Sequence, residues 1–278
     1  MQATLIYFSQ TGNTRKVAKV IAQELTENGC ETTTHPLKKA TVQDIDSADL
    51  IGVGTPVFES QAPSPVRTFL RDLPTLKGKK AFVFATSGGA PGRILYDLTQ
   101  PLEAKGAKVI GGFICRGENF HPAPCLVGRF PKRPNETDLQ EAKDFAGSLL
   151  RHIASGASTP MPESRPDVFK VGVGFYQLCG SILKDPVVRF LMPEPRLNPD
   201  KCTQCDWCIH ECPVGNLTKT PFPKPGDKCL RCYRCYTGCP EKAFEIKWGI
   251  SNFLTWTLYN QTFEKCFGDI RTGEKIYE

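Results

Sequence analysis

Eight of the 13 cysteines in this chain fall between positions 202 and 239, in two series of identical spacing. The first is Cys202, Cys205, Cys208 and Cys212, followed by Pro213; the second is Cys229, Cys232, Cys235 and Cys239, followed by Pro240. Each reads C-x2-C-x2-C-x3-C-P, and the second repeats the first 27 residues on, with Lys201 and Lys228 just ahead of them. Residues 1–6 show no basic n-region and no cleavable apolar stretch, so no signal peptide is expected. The expected compartment is therefore reducing and cytoplasmic, where clustered cysteines read as metal ligands before disulfides.

The spacing says which metal. Three cysteines at two-residue gaps wrap one corner of a cubane and donate three thiolates to three irons. The fourth, three residues on, starts a helix that points away, so it ligates the other cluster. Cluster one is then held by Cys202, Cys205, Cys208 and Cys239, and cluster two by Cys229, Cys232, Cys235 and Cys212. Two zinc sites are the alternative, but those use separated C-x2-C pairs rather than triplets ending in C-P. The module resembles the two-cluster [4Fe-4S] bacterial-type ferredoxins over roughly 45 residues, a small α+β domain.

Upstream, strand and helix signals alternate. Strands are predicted over residues 3–8, 48–53, 80–85 and 107–114, with a poorer edge strand over 31–37. Helices are predicted over 15–28, 65–73, 94–105 and 138–153, each with apolar residues at helical spacing, such as Val17, Val20, Ile21 and Leu25. Five strands alternating with helices predict an α/β doubly wound, parallel five-stranded sheet. Residues 115–135 form a long Pro-, Arg- and Gly-rich loop, of a length that is usually functional or disordered. The chain divides into residues 1–153, a linker and packing helix over 154–197, the cysteine module over 198–247 and a tail over 248–278. A membrane-surface helix is the alternative for residues 168–192.

The first strand ends in Ser9-Gln10-Thr11-Gly12-Asn13-Thr14, directly before a helix. A hydroxyl- and glycine-rich turn there is an anion site, because backbone N–H groups and the helix dipole point at the bound group. The lysine of a P-loop is absent, as is G-x-G-x-x-G. A C-x5-R phosphatase motif and the acidic cluster of a receiver domain are absent too. Two further loops end strands: Gly54-Thr55-Pro56-Val57-Phe58-Glu59 and Thr86-Ser87-Gly88-Gly89-Ala90-Pro91-Gly92. Ligands of open α/β sheets bind beyond the carboxyl ends of the strands. S-x-T-G-N-T at this position resembles the flavodoxin phosphate loop, which implies that Ser9, Gln10, Thr11, Gly12, Asn13 and Thr14 bind the phosphate of FMN. The same resemblance places Thr55, Pro56, Val57 and Phe58 on one side of the flavin ring and Thr86, Ser87, Gly88, Gly89 and Gly92 on the other. Taken whole, the chain is similar to flavodoxin–ferredoxin fusions.

That resemblance implies FMN and two [4Fe-4S] clusters in an electron carrier serving redox partner proteins, with an anaerobic source. No catalytic residue stands out. An oxidoreductase with its own small substrate, such as a quinone, is the alternative, as is an electron-delivery subunit of a larger complex. Cys30, Cys115, Cys125, Cys179 and Cys266 lack ligand spacing and read as buried small residues. His210 reads as solvent-facing, and Trp207 and Tyr233 as shields for the clusters. The motif over residues 128–135 carries no evident mechanism. The formal charge of +6 first suggests nucleic acid. Two clusters with their thiolates add about −4 and an FMN phosphate about −2, which brings the sum near zero and removes that case. No run of apolar residues is long enough to cross a membrane, leaving peripheral membrane or complex association open.

Overall fold

In the computed structural model, residues 1–161 and 185–257 are described, apart from 60, 90, 93, 125, 126 and 158. They fall into two compact units: residues 1–118 with 130–161, and residues 119–129 with 185–257.

The first unit contains β1 (Gln2–Tyr7), α1 (Asn13–Glu27), β2 (Glu31–Pro36), α2 (Val42–Asp46), β3 (Leu50–Pro56), α3 (Ser64–Asp72), β4 (Lys80–Ser87), α4 (Ile94–Ala104), β5 (Lys108–Arg116) and α5 (Glu136–Ala154). The strands form one sheet in the order β2-β1-β3-β4-β5, all parallel. Strands β1, β3 and β4 are buried almost throughout, as continuous apolar runs covered on both faces must be. The edge strand β2 is instead polar and largely exposed, which accounts for its weak signal. Its neighbour α2 escaped the periodicity, being only five residues long. It is set by a local signal, Thr41 and Asp44 closing a reciprocal capping box.

Helices α1 and α5 share one face of the sheet, where Val17, Ile21 and Leu25 pack with Ala142, Phe145 and Leu149. Two glycines of β3 are dictated by packing. A Cβ at Gly52 would stand 2.5 Å from the Phe82 ring, and one at Gly54 would stand 2.1 Å from the Phe84 ring. Both phenylalanines are fully buried, and each contributes on the order of 1.5–3 kcal/mol by its burial.

The second unit contains α6 (Asp185–Leu191), β6 (Arg196–Leu197), α7 (Trp207–Glu211), β7 (Leu217–Lys219), β8 (Pro223–Pro225), α8 (Arg234–Thr237), β9 (Phe244–Glu245) and α9 (Gly249–Trp256). Strands β6 and β9 pair antiparallel, as do β7 and β8. The repeat seen in the sequence is repeated in the backbone. Left-handed residues come in pairs 27 positions apart: Gln204 and Arg231 (φ 55° and 53°), Asp206 and Tyr233 (φ 59° and 56°), Gly215 and Lys242 (φ 58° and 49°). The apolar cluster among the cysteines has only Cys208, Leu217 and Phe244 fully buried, too little to hold so many short elements by itself. Bound metal supplies folding free energy where a core this small does not. Among the described residues, no helix is long and apolar enough to cross a membrane.

Candidate functional site

The cysteines are presented by short turns leading into one-turn helices. Positive φ at Gln204 and Asp206, and again at Arg231 and Tyr233, curls the chain so that successive cysteines face a common interior. Cys202, Cys205, Cys208 and Cys239 line one open pocket, together with Trp207 and Phe244. Cys239 thus joins the first series although it lies 31 positions beyond Cys208. Burial pushes the Cys232 thiol up to about 12, and the charges of Cys229 and Cys212 push in the same direction. Burial likewise raises Cys208 to about 11, aided by Cys239 and Cys205. Burial also raises Cys235, with Cys232, Cys229 and Cys208 adding to it.

Thiols this reluctant to ionise become thiolates only against the positive charge of a metal. Among the described residues, no three His, Cys, Asp or Glu side chains converge on a single-ion position. Four thiols around one open pocket are a donor set that fits an iron–sulfur cluster. The backbone N–H of Asn216 donates to Cys212 Sγ at 3.2 Å, and that of Ala243 donates to Cys239 Sγ at 3.4 Å, again 27 residues apart. Such bonds stabilise a thiolate and raise the potential of the cluster it holds.

At the carboxyl ends of the parallel strands, three loops are cross-linked. Phe8 N–H donates to Gly54 O at 2.9 Å, and Val57 N–H donates to Thr86 O at 3.0 Å. The Thr14 and Thr86 hydroxyls meet at 2.8 Å, both buried. Gly12, at φ 104°, turns the chain into α1, and the Ser9 hydroxyl accepts from Arg15 N–H at 3.3 Å. The Asn13 amide donates to Glu118 O at 3.1 Å, through space that a Cβ at Gly117 would fill. Asn13 and Thr14 therefore spend their side chains on assembling the loops. Ser9, Gln10, Thr11 and Gly12 are half-buried. Phe58 lies edge-on to Phe8, with centroids 6.4 Å apart. In the third loop, Ser87 Oγ donates to Gly89 O at 2.8 Å, and a Cβ at Gly89 would meet nothing within 4 Å. A glycine- and hydroxyl-rich helix start beside a loop with open space at Gly89 is a donor set that fits a phosphate and a flat ring.

Sequence reasoning missed Arg116. It ends β5, is 8% exposed, donates to Gly89 O at 2.7 Å and lies 4.7 Å over the Phe130 ring. It thereby braces the loop at residues 86–92. The motif at 128–135 also acquires a role. Phe130 supports Arg116, Lys132 N–H donates to the Glu118 carboxylate at 2.9 Å, and Arg133 pairs with the buried Asp138. Asn135 caps α5 in a reciprocal box with Asp138. The N-x-x-D pattern is a legible cap signal; the arginine contacts are tertiary. Cys30 and Cys115 are buried, His210 is exposed, and Cys125, Cys179 and Cys266 lie outside the described residues. Only residues 185–191 of the helix expected over 168–192 are described as helix; residues 168–184 lie outside the description.

Comparison with known proteins adds to this geometry. Residues 4–121 match the flavodoxin domain family, and residues 195–218 match the 4Fe-4S binding domain family. The chain is 33% identical over 156 residues to an uncharacterized protein of Methanocaldococcus jannaschii, covering 55% of this chain and 100% of that protein. It is 34% identical over 110 residues to a flavodoxin of Megasphaera elsdenii, covering 38% of this chain and 80% of the flavodoxin. It is 35% identical over 68 residues to the pyruvate synthase subunit PorD of Methanothermobacter marburgensis, covering 24% of this chain and 83% of that subunit. With a parallel 2-1-3-4-5 sheet ahead of a crossed set of cysteines, the chain belongs to the flavodoxin family and joins its FMN-type flavodoxin domain to a 4Fe-4S ferredoxin domain.

Proposed function

We propose that this protein carries electrons between FMN and two [4Fe-4S] clusters and passes them on to redox partner proteins. The observation that supports this most is the grouping of Cys239 with Cys202, Cys205 and Cys208 of the first series, in a chain that begins as a flavodoxin. When bound, the flavin exchanges electrons in ones or twos and each cluster exchanges one, so the chain can link a two-electron partner to a one-electron partner.

The residues supply position and environment. The phosphate site is Ser9, Gln10, Thr11, Gly12, Asn13 and Thr14, with Thr14 tied to β4 through Thr86. The ring is flanked by Thr55, Pro56, Val57 and Phe58 and by Thr86, Ser87, Gly88, Gly89 and Gly92. Anaerobic purification with iron, sulfide and flavin analysis tests the reading. About eight iron, eight sulfide and one FMN per chain are expected. Zinc without sulfide would overturn the cluster half, and intact clusters without flavin would overturn the other.

The likeness to PorD favours a narrower second reading, that of an electron-delivery subunit docked on a larger complex. Helix α9 fits it, because Ile250 and Phe253 point outward (74% and 60% exposed) while Thr255 is buried. A partner retained in stoichiometric amount on anaerobic purification, and lost with Phe253→Ser, supports this reading.

A further inference from the structure

The two cluster sites share a backbone and differ in what covers them. Asp206 and Tyr233 occupy equivalent places, each directly after the second cysteine of its series and each left-handed. At the first site this place is polar and open. The Asp206 carboxylate accepts from Lys219 Nζ at 2.6 Å, with the two side chains 31% and 41% exposed. Cys205 is exposed beside it, and the cavity among Cys202, Cys205, Cys208 and Cys239 opens to solvent.

At the second site the same place holds a group of three aromatic rings, with Tyr233 buried among them. Tyr233 is 1% exposed and its hydroxyl donates to Pro193 O at 2.9 Å. Its ring centroid lies 5.0 Å from that of His121, edge-on, and 5.4 Å from that of Trp248; His121 and Trp248 are 5.6 Å apart. His121 comes from the 119–129 segment and is held at two points. Its backbone N–H donates to Asn119 Oδ1 at 2.9 Å, and its Nδ1 accepts from Ala123 N–H at 3.2 Å. That second bond fixes the ring plane and puts the proton of the neutral ring on Nε2. None of Cys212, Cys229, Cys232 and Cys235 is exposed.

We infer that His121 is a positioning residue for the second cluster: it completes the wall of Tyr233 and Trp248, keeps water from that cluster, and sets its potential below that of the first. The first cluster is then the end that gives electrons to a one-electron acceptor protein. This rests on the two-cluster reading above. The sign follows from charge. A cluster with four thiolates goes from about −2 to about −3 on taking one electron. The added charge costs more where water is excluded than where it can solvate the sulfurs. Asp206 opposes the difference by placing a carboxylate at the first site, but its pairing with Lys219 and its exposure screen it. With both clusters bound, an electron arriving at the second would pass to the first, the second being reoxidised by one electron as the first is reduced.

The test is a dithionite titration of the metal-loaded, full-length protein followed by electron paramagnetic resonance, with iron and sulfide counted on the same sample. Cys205→Ser marks the first-site wave. Two one-electron waves are expected, the first-site wave higher by at least tenfold in its reduction equilibrium constant, about 59 mV for one electron. His121→Ala should raise only the second-site wave, and Asp206→Asn only the first. Equal waves, reversed order, or a His121 variant that moves the first-site wave would overturn the inference. Where His121→Ala fails to fold, an iron chelator applied to the wild type decides: half the iron should leave fast and half slowly, the fast half being the one altered by Cys205→Ser. Release in a single phase would overturn the inference. A count of about four iron per chain would instead sink the two-cluster reading on which it stands.

Discussion

The guanidinium of Arg234 lies 4.8 Å over the ring of Trp207, and these residues hold the same place in the two copies of the cysteine series. The neighbouring contacts are also related by the repeat. Arg234 pairs with Glu211 at 2.8 Å, and Trp207 packs on Gly238, the residue equivalent to Glu211. The duplication thus meets itself, one copy using an ion pair and the other a large ring against a glycine.

Gly238→Ala tests that contact. The new Cβ would stand 1.9 Å from the Trp207 ring, in a position the ring must vacate. Overpacking of this kind costs about 1–3 kcal/mol. Urea unfolding should show a loss in that range, and Gly238→Ala combined with Trp207→Phe should recover part of it.

Replacing Cys202 by Ala takes one of the four cysteines from the cavity that also holds Cys205, Cys208 and Cys239. Iron should fall from about eight to about four per chain, with FMN retained in full. Loss of flavin together with the iron would count against independent sites.

The buried hydroxyl pair of Thr14 and Thr86, 2.8 Å apart, should behave as a unit. Thr14→Val leaves the Thr86 hydroxyl buried without that partner, at a cost of about 1–3 kcal/mol, and Thr86→Val does the converse. The double variant should cost clearly less than the two losses added together. Thermal unfolding of the three variants, with FMN titrated into each, measures this; strict additivity would dissolve the pairing.

His121 predicts a dependence on pH. Burial pushes it down to about 4, from an ordinary value near 6.5. Above pH ~6.5 neither state binds this proton and the stability is fully present. As pH falls toward about 4, the unfolded ring takes a proton that the folded ring refuses, and stability is lost. Unfolding of the wild type and His121→Phe at pH 7.5 and 4.5 should show the smaller acid loss in the variant.

Much of this was legible in local pattern. Strands β1, β3, β4 and β5 and helices α1, α3, α4 and α5 stand where apolar periodicity puts them, because a two-sided parallel sheet demands continuous apolar strands and one-faced helices. The two cysteine series were legible for a covalent reason, since thiolate spacing along the chain is set by the metal core they wrap. What joins distant residues was not. Arg116 reaches Gly89, Arg133 reaches Asp138, and His121 reaches Tyr233 only after the chain has folded back on itself.

The sequence by itself therefore determined the order of the domains, the parallel sheet and the chemistry of the ligands, because each is written in residues close along the chain. Only the tertiary structure decided that Asn13 and Thr14 hold loops together, that residues 119–129 belong with the cysteine module, and that equivalent places in the two series hold an ion pair at Asp206 and packed rings at Tyr233. Spacing governs what the chain can coordinate. Burial, which sets the electrostatic environment, is a property of what other parts of the chain bring to the same place.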